Sequence, residues 1–186
     1  MDAGKGFFIS ACFLLAFSVA RAQTIVERIG DLPTSNAESS GLLFLDGNLI
    51  THNDSGNEAL LYELDTTSLE VVRTVALSGV NNTDWEDLAM DDTYLYVGDI
   101  GNNLGQRQDL VIWKIPLEDY RVSETVTAEP IRFSYEDQQD FSGGQNSDWD
   151  AEALMVRGDS LWIFTKRWQS GGTTLYRVPK IPGTYV

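Results

Sequence analysis

The sequence predicts an all-β protein built from a repeated four-stranded antiparallel unit, and three observations support this fold class. An acidic loop, an apolar strand, a short turn, a second apolar strand and a loop rich in Asp, Asn and Gly follow one another three times. The third strands of the copies match closely, at residues 61–64, 112–115 and 175–178. No long segment beyond the N-terminus has a helical period. A four-stranded unit repeated about every 45–50 residues is typical of a β-propeller blade.

The three predicted blades cover residues 38–80, 84–136 and 148–186, and the last of them is incomplete. The predicted strands are short, rich in Val, Ile, Leu and aromatic residues, and bounded by Gly, Asn and Asp. The turns at residues 46–48 and 157–159 contain residues that tolerate a positive φ in tight hairpins. An insertion at residues 117–129 accounts for the length of the second repeat, and its fourth strand is predicted at residues 131–135.

Residues 1–22 have the pattern of a secretory signal peptide. Lys5 precedes an apolar run at residues 7–20, and Ala20-Arg21-Ala22 forms a cleavage site of the A-x-A type. The run is too short to favour a membrane span. We therefore expect a secreted protein that is extracellular, periplasmic or held at the cell surface. Cleavage after Ala22 removes Cys12, the single cysteine, which excludes disulfides and thiolate chemistry in the mature domain.

Residues 24–32 resemble the fourth strand of the first blade but follow no first three strands of their own. In propellers such a strand completes the last blade and closes the ring, which leaves no open edge. Propellers have about four to eight blades. The three repeats therefore predict the N-terminal portion of a larger propeller, whose missing C-terminal blades would be its structural partners.

The net charge of the sequence is −15, from 28 acidic and 13 basic residues. This balance argues against nucleic acid and anionic membrane surfaces as partners. It is compatible with cations, cationic ligands or polar sugars, and equally with simple solubility outside the cell.

The predicted strand order brings the most unusual polar residues to one face, which we call the top face. The loop that enters each first strand and the loop between strands two and three share this face. Carboxylates gathered there repel one another unless a cation or a proton intervenes, and oxygen ligands suit calcium. The alternative is that each acid accepts hydrogen bonds from its own loop. The candidate metal ligands are Glu38, Asp54, Glu86, Asp99 and Glu152.

Other top-face residues are candidates for contacting a ligand. His52 is the only histidine, so a zinc site of the usual kind is disfavoured, and it is either a general base or a hydrogen-bonding loop residue. Lys166 and Arg167 either bind a carboxylate or phosphate or balance the acids. The full set of candidate ligand-binding residues is His52, Asn53, Asp87, Asn102, Asn103, Arg107, Lys166 and Arg167.

Four motifs in order resemble those of a group of secreted bacterial β-propeller proteins, common in Bacteroidetes-like bacteria. They are THNDSGN at residues 51–57, DWEDLA at 84–89, GDIGNN at 98–103 and DAEAL at 150–154. The resemblance implies further blades and a C-terminal sorting domain for type IX secretion. At greater distance the fold is similar to gluconolactonase-like and sugar-dehydrogenase-like propellers. Those proteins hold calcium with acidic and amide residues at the channel mouth, which implies calcium as a cofactor.

Two functions of different classes follow from these expectations. The first is a binding or scaffold module whose top face takes a small-molecule, glycan or protein ligand, with calcium as a candidate cofactor. The alternative is a calcium-dependent hydrolase of the lactonase or esterase type, in which Glu86, Glu152 and Asp99 would hold the metal. The sequence has no G-x-S-x-G motif and one histidine, which favours the binding module and leaves the catalytic residues unknown.

Overall fold

The computed structural model describes Met1 and residues 26–186. All but the first residue of the predicted signal peptide lies outside the described residues. The described chain is all-β, with three sheets of mostly antiparallel strands, one short α-helix and one 3-10 turn at Thr34–Asn36. None of the helices in the described part of the chain has the length and apolar character needed to cross a bilayer.

Sheet one contains the strands of the first repeat. They are β1 (Ser39–Leu45), β2 (Asn48–Asn53), β3 (Leu60–Asp65) and β4 (Val71–Leu77), each antiparallel to the next. The turn between β1 and β2 places Asp46 at φ 51° and Gly47 at φ 97°, and these two residue types accept that conformation at low cost. Strand β2 continues two residues beyond its predicted end at residue 51, so His52 and Asn53 lie in a strand and not in a loop.

Sheet two contains the second repeat, and its predicted insertion forms structure of its own. The strands are β5 (Trp85–Met90), β6 (Tyr94–Asp99) and β7 (Val111–Pro116), followed by helix α1 (Leu117–Val122), β8 (Thr125–Val126) and β9 (Glu129–Phe133). Strand β9 pairs with β7 as the fourth strand, whereas β8 pairs in parallel with β4 of sheet one. The insertion therefore connects the second repeat to the first by pairing a strand with sheet one.

Sheet three consists of β10 (Asp150–Arg157), β11 (Ser160–Lys166) and β12 (Thr173–Pro179). The following strand, β13 (Gly183–Tyr185), pairs in parallel with β9 of sheet two. Antiparallel pairing is therefore found within each repeat, as predicted, whereas β8 and β13 pair in parallel with strands of a neighbouring repeat. Strand β8 follows the third strand β7, and β13 follows the third strand β12. The fourth strands start from the same end of the sheets. For this reason β8 and β13 run in the same direction as β4 and β9, the fourth strands with which they pair.

The N-terminal segment forms no strand within its described part. A strand was expected over residues 24–32, but residues 26–33 have no strand pairing. The partner that we expect for this segment is the third strand of a final blade, and no such blade is present among the described residues.

Two apolar cores join the three sheets, with sheet two in the middle. Trp85, Leu95 and Ile115 are completely buried in the core between sheets one and two, and Tyr96 and Ile163 are buried in the core between sheets two and three. The first strands β1, β5 and β10 lie side by side across these cores. The acidic segments that lead into the first strands therefore meet at one end of the molecule.

The docking of the insertion on sheet one provides a test of the fold. Val126 in β8 is buried in the first core, and Val122 at the end of α1 is 82% exposed. We expect Val126→Ala to lower the free energy of unfolding by about 2 kcal/mol, because it removes buried methyl groups and leaves a cavity. Val122→Ala is the matched control, with an expected change within about 0.5 kcal/mol. Urea unfolding measures both, and equal effects would contradict the parallel pairing of β8 with β4.

Candidate functional site

Two of the three repeated glutamates occupy β-bulges at the top face. Glu86 lies between Trp85 and Asp87, which pair with consecutive residues of β6, so Glu86 is the extra residue of the bulge. Glu152 is the extra residue of the corresponding bulge in β10. A bulge leaves its extra residue unpaired and changes the direction of its side chain. Glu86 and Glu152 therefore occupy equivalent positions in their repeats, as the sequence predicts.

Glu38 occupies a different kind of position. It precedes β1, and the register shift of β1 lies beyond Ser40. The Oε2 atom of Glu38 accepts a hydrogen bond from Nδ2 of Asn57 at 2.6 Å, on the exposed surface. Glu38 therefore joins the segment before β1 to the loop between β2 and β3.

Asp54, Asp84 and Glu86 form a compact group, which we call the acid cluster. One carboxylate oxygen from each residue lies within 4.8 Å of those of the other two. Asp54 follows β2 of sheet one, whereas Asp84 and Glu86 belong to the segment that enters sheet two. Asp84 lies in the bend before β5, and Glu86 is the bulged residue of β5. The cluster therefore spans the junction between two sheets.

Asp84 and Glu86 of the acid cluster bind protons more tightly than ordinary carboxylates do. Burial first, and then the neighbouring carboxylates with Asp84 foremost, raise the pKa of Glu86 from its usual 4.5 to about 9. Burial also raises the pKa of Asp84 to about 6, against the opposing effect of Arg107. The pKa of Glu152 is raised by burial and by Asp150, and Lys166 opposes this. At neutral pH the cluster without a cation therefore holds a proton on Glu86.

Gly101 allows two of these carboxylates to lie close against the backbone. Its backbone N–H donates to the carbonyl oxygen of Asp84 at 3.1 Å, as does that of Ile100. A Cβ atom at position 101 would lie 2.3 Å from Oδ2 of Asp84 and 2.4 Å from Oε1 of Glu86. Both distances are shorter than any van der Waals contact, so any side chain here would displace the carboxylates.

Asp99 and Arg107 support the acid cluster from behind. Asp99 is buried and accepts a hydrogen bond from the N–H of Asp84 at 3.0 Å. Its carboxylate lies 2.8 Å from Nη2 of Arg107, which also donates through Nη1 to the carbonyl of Gly101 at 2.9 Å. These contacts position the segments that carry Asp84 and Gly101. Asp99 itself is not a member of the acid cluster.

Asp150 connects the top-face loops of sheets two and three. It is completely buried, and it accepts hydrogen bonds from the N–H of Asn102 at 2.8 Å and from Nε1 of Trp168 at 2.7 Å. The Oδ1 atom of Asn102 accepts from the N–H of Arg107, and the carbonyl of Asn103 accepts from the N–H of Ser147. Asn102 and Asn103 thus shape the loop beside the cluster.

His52 and Asn53 are interior residues of sheet one. The His52 side chain is completely buried, and its Nδ1–H donates to the carbonyl of Asn53 at 2.8 Å. Burial lowers the pKa of His52, so the ring is neutral at physiological pH. Nδ2 of Asn53 donates to the carbonyl of Ser35 at 2.8 Å. These contacts correspond to the hydrogen-bonding alternative for His52.

The remaining candidates also have partners within the protein. Asp87 accepts a hydrogen bond from the N–H of Leu154 at 2.8 Å and thereby joins β5 to β10. Nζ of Lys166 lies 3.6 Å from the carboxylate of Glu152 and 3.6 Å from the centre of the Trp168 ring. Arg167 is 3.9 Å from Asp148. The basic pair therefore balances acids of sheet three.

An open cleft of about 410 Å³ adjoins the acid cluster and shares Asp84 with it. Amide and hydroxyl side chains dominate its lining, and Leu104 supplies an apolar edge. The lining residues are Ser55, Thr83, Asp84, Asn102, Asn103, Leu104, Gln106 and Arg107. The cleft therefore offers amide, hydroxyl and charged groups together with apolar surface beside the acid cluster.

Three residues of this region were not among the candidates from the sequence: Asp84, Asp150 and Gly101. The sequence nevertheless indicates Asp84 and Asp150, because they begin the DWEDLA motif at residues 84–89 and the DAEAL motif at residues 150–154. No comparable sequence signal indicates Gly101, since its role depends on a backbone segment passing close to Asp84. Models of known protein families give no match to this chain, and a comparison with curated proteins gives no significant match.

The raised pKa of Glu86 predicts how the stability of the protein depends on pH when a chelator has removed any bound cation. The folded state binds this proton more tightly than the unfolded state, so the free energy of unfolding must fall as the pH rises from about 5 to about 9. We expect a decrease on the order of 2 kcal/mol after solvent screening is allowed for. Urea unfolding at a series of pH values measures it. In Glu86→Gln the free energy of unfolding should depend much less on pH, whereas the control Glu38→Gln should keep the dependence of the parent. An unchanged dependence in Glu86→Gln would show that the proton is bound by another group.

Proposed function

We propose that the chain is part of a secreted β-propeller that binds calcium at the acid cluster and uses the adjoining cleft as a ligand-binding surface. The observation that carries the proposal is the convergence of Asp54, Asp84 and Glu86 from two sheets, where Gly101 allows two of the carboxylates to lie against the backbone. A calcium ion bound by these carboxylates would relieve the repulsion that adds to burial in raising the pKa of Glu86.

The propeller assignment is supported by the way in which the sheets are arranged. Each repeat begins with a first strand beside the first strand of its neighbour, and the following strands lie progressively outward in each sheet. The three sheets pack face to face through apolar cores. Radial repetition of such sheets is the architecture of a propeller, and we propose that further blades complete the ring.

Calcium is the cation that the donor set favours. The cluster offers carboxylate oxygens, which are the ligands of calcium and magnesium, whereas zinc and copper prefer imidazole or thiolate ligands. The single histidine is buried in sheet one, and the single cysteine lies in the predicted signal peptide. Calcium accepts six to eight oxygens in flexible geometry, so the amide-rich cleft and a ligand hydroxyl can supply the remainder.

The buried position of His52 supports the binding role over a hydrolase that would use this histidine as its general base. A hydrolase of the lactonase or esterase type would need a general base that reaches the substrate. His52 is completely buried and its Nδ1–H is engaged, so it does not face the cleft. We therefore place the binding or scaffold role first, with the cluster as a structural and ligand-orienting calcium site.

The calcium proposal is tested by thermal unfolding with calcium and with chelator. An ion that binds the folded state at a hundredfold excess over its dissociation constant stabilises it by about 2.7 kcal/mol. We expect calcium to raise the melting temperature of the parent chain and of Glu38→Gln, whose glutamate lies outside the cluster. Glu86→Gln should lose most of the response because it removes a ligand.

Gly101→Ala provides a second variant that keeps every carboxylate. Its added Cβ would collide with the oxygens of Asp84 and Glu86, so we expect the calcium response to fall at least tenfold in apparent affinity, about 1.4 kcal/mol. Isothermal titration with calcium measures this directly. A parent chain without any calcium response would refute the proposal, and full responses in both Glu86→Gln and Gly101→Ala would place the ion elsewhere.

A further inference from the structure

A second open cleft adjoins the one beside the acid cluster. It has a volume of about 380 Å³, and its lining includes Leu104, Trp149 and Gln169. Leu104, which is 51% exposed, lines both clefts, so the clefts meet at this side chain. We call the cleft that contains Asp84 the inner cleft and the second one the outer cleft. The loops between the second and third strands of all three sheets contribute, with Ser55, Leu104 and Gln169 respectively.

The long loop at residues 134–149 forms a wall of the outer cleft and is bonded to the neighbouring loop of sheet two. Nε2 of Gln138, a buried side chain, donates to the carbonyl of Gly105 at 2.8 Å. The N–H of Ser147 donates to the carbonyl of Asn103 at 2.6 Å. Gly105 has φ 69°, and a Cβ atom there would lie 2.9 Å from Cβ of Ser147, so the close approach of the two loops requires glycine. Loops of this length are usually functional or disordered, and these contacts hold this one in place.

Asn102 has an unused hydrogen-bond donor at the inner cleft. Its side chain lines this cleft, and the residue is 2% exposed. The Oδ1 atom accepts a hydrogen bond from the N–H of Arg107 at 2.9 Å, which fixes the orientation of the amide. The Nδ2 atom has no hydrogen-bond partner within the described part of the chain. Because a buried donor without an acceptor is costly, this amide favours a ligand that supplies an acceptor oxygen.

Both clefts combine apolar surface with hydrogen-bonding groups. Leu104 contributes apolar surface where they meet, and the half-buried Trp149 packs against the core between sheets two and three and lines the outer cleft. The indole N–H of Trp149 donates to Asp137 at 2.9 Å, which holds the ring in position. The amides of Gln145 and Gln169 belong to the same lining. A sugar ring matches such a surface, because its hydroxyl groups donate and accept hydrogen bonds while its C–H faces are apolar.

The charges at the two clefts favour a neutral ligand. Arg107 is the only basic residue among the described residues that line either cleft. Its Nη2 lies 2.8 Å from the carboxylate of Asp99, and its Nε lies 3.0 Å from that of Asp109. The linings also contain the carboxylates of Asp84 and Asp140, which would repel an anion. Phosphorylated, sulfated or uronic ligands are therefore disfavoured.

We propose that the inner and outer clefts form one groove that binds a neutral oligosaccharide, with successive sugar units on the two sides of Leu104. The inference rests on the ligand-binding role proposed above and names the class of ligand. Each cleft is near the lower end of the range of about 300–1,000 Å³ for small-molecule sites. A chain of linked rings fills two such adjoining clefts, whereas one small rigid ligand fills only one of them. The donor of Asn102 would bind a sugar oxygen in the inner cleft.

The experiment is a glycan array probed with the full chain, followed by isothermal titration with the oligosaccharides that bind. The array contains neutral oligosaccharides of glucose, mannose, xylose and N-acetylglucosamine with one to six units, together with sulfated and uronic oligosaccharides of the same lengths. We expect neutral hexasaccharides of at least one series to bind at least tenfold more tightly than the monosaccharide. Absence of binding to every neutral oligosaccharide, or tighter binding of the acidic ones, would overturn the proposal.

Two variants and a control test whether the oligosaccharide lies in this groove. Leu104→Asp places a charge where the clefts meet and should weaken binding of the hexasaccharide at least tenfold. Trp149→Phe keeps an aromatic ring on the core but reduces the apolar surface of the outer cleft, so the advantage of the hexasaccharide over the disaccharide should shrink at least fivefold. Val122→Asp is the control, because Val122 is 82% exposed on α1 and lines neither cleft, and it should bind as the parent does. Unchanged binding in Leu104→Asp or in Trp149→Phe would overturn the two-cleft groove, and circular dichroism confirms that the variants are folded.

The same samples, titrated with calcium and with chelator, separate this inference from the calcium proposal. Leu104 is not a member of the acid cluster, so Leu104→Asp should keep the calcium response of the parent while it loses the oligosaccharide. A parent that responds to calcium but binds no neutral oligosaccharide would refute the ligand class alone. A parent that binds the oligosaccharide equally well in chelator and shows no calcium response would refute the calcium site alone.

Discussion

The burial of carboxylates between neighbouring first strands is the constraint on which the top face depends. Asp150 accepts hydrogen bonds from Asn102 of the sheet-two loop and from Trp168 of sheet three. Asp87 accepts one from the backbone of β10. A buried carboxylate is tolerated only when such donors compensate its lost hydration. Asp150 and Asp87 therefore fix the spacing of sheets two and three. The positions of the loops around the acid cluster depend on that spacing.

The same reasoning separates two kinds of acid that the sequence presents alike. Asp99 and Asp150 have donors on both oxygens or a guanidinium partner, so their charges are satisfied by the protein itself. Glu86 has burial and like charges but no such set of donors, and its pKa rises to about 9. The sequence left open whether each acid is a hydrogen-bond acceptor or a metal ligand. The structure shows that Asp99 and Asp150 are hydrogen-bond acceptors, and the metal-ligand role of the acid cluster is the proposal made above.

The repeated pattern of short apolar strands predicted the sheets well because each strand carries its own signal of period and turn residues. It could not predict β8 and β13, since two or three residues of strand have no periodicity and their pairing partner lies in another repeat. It also placed His52 in a loop, because polar residues in a strand resemble loop residues until burial is known. Gly101 was missed for a similar reason, since a close approach between segments is a property of the tertiary structure.

The position of the acid cluster links cation binding to the contact between sheets. Asp54 belongs to sheet one, while Asp84 and Glu86 belong to sheet two, so the distances among the three depend on how those sheets pack. Strand β8 holds this contact from the outer edge, and Arg73 of sheet one reinforces it by donating to the carbonyl of Ser123 beside α1. A cation at the inner end would act on the same contact from the opposite side. Its binding energy would therefore stabilise the association of the two sheets rather than either sheet alone, and loss of the outer contact should weaken the inner site.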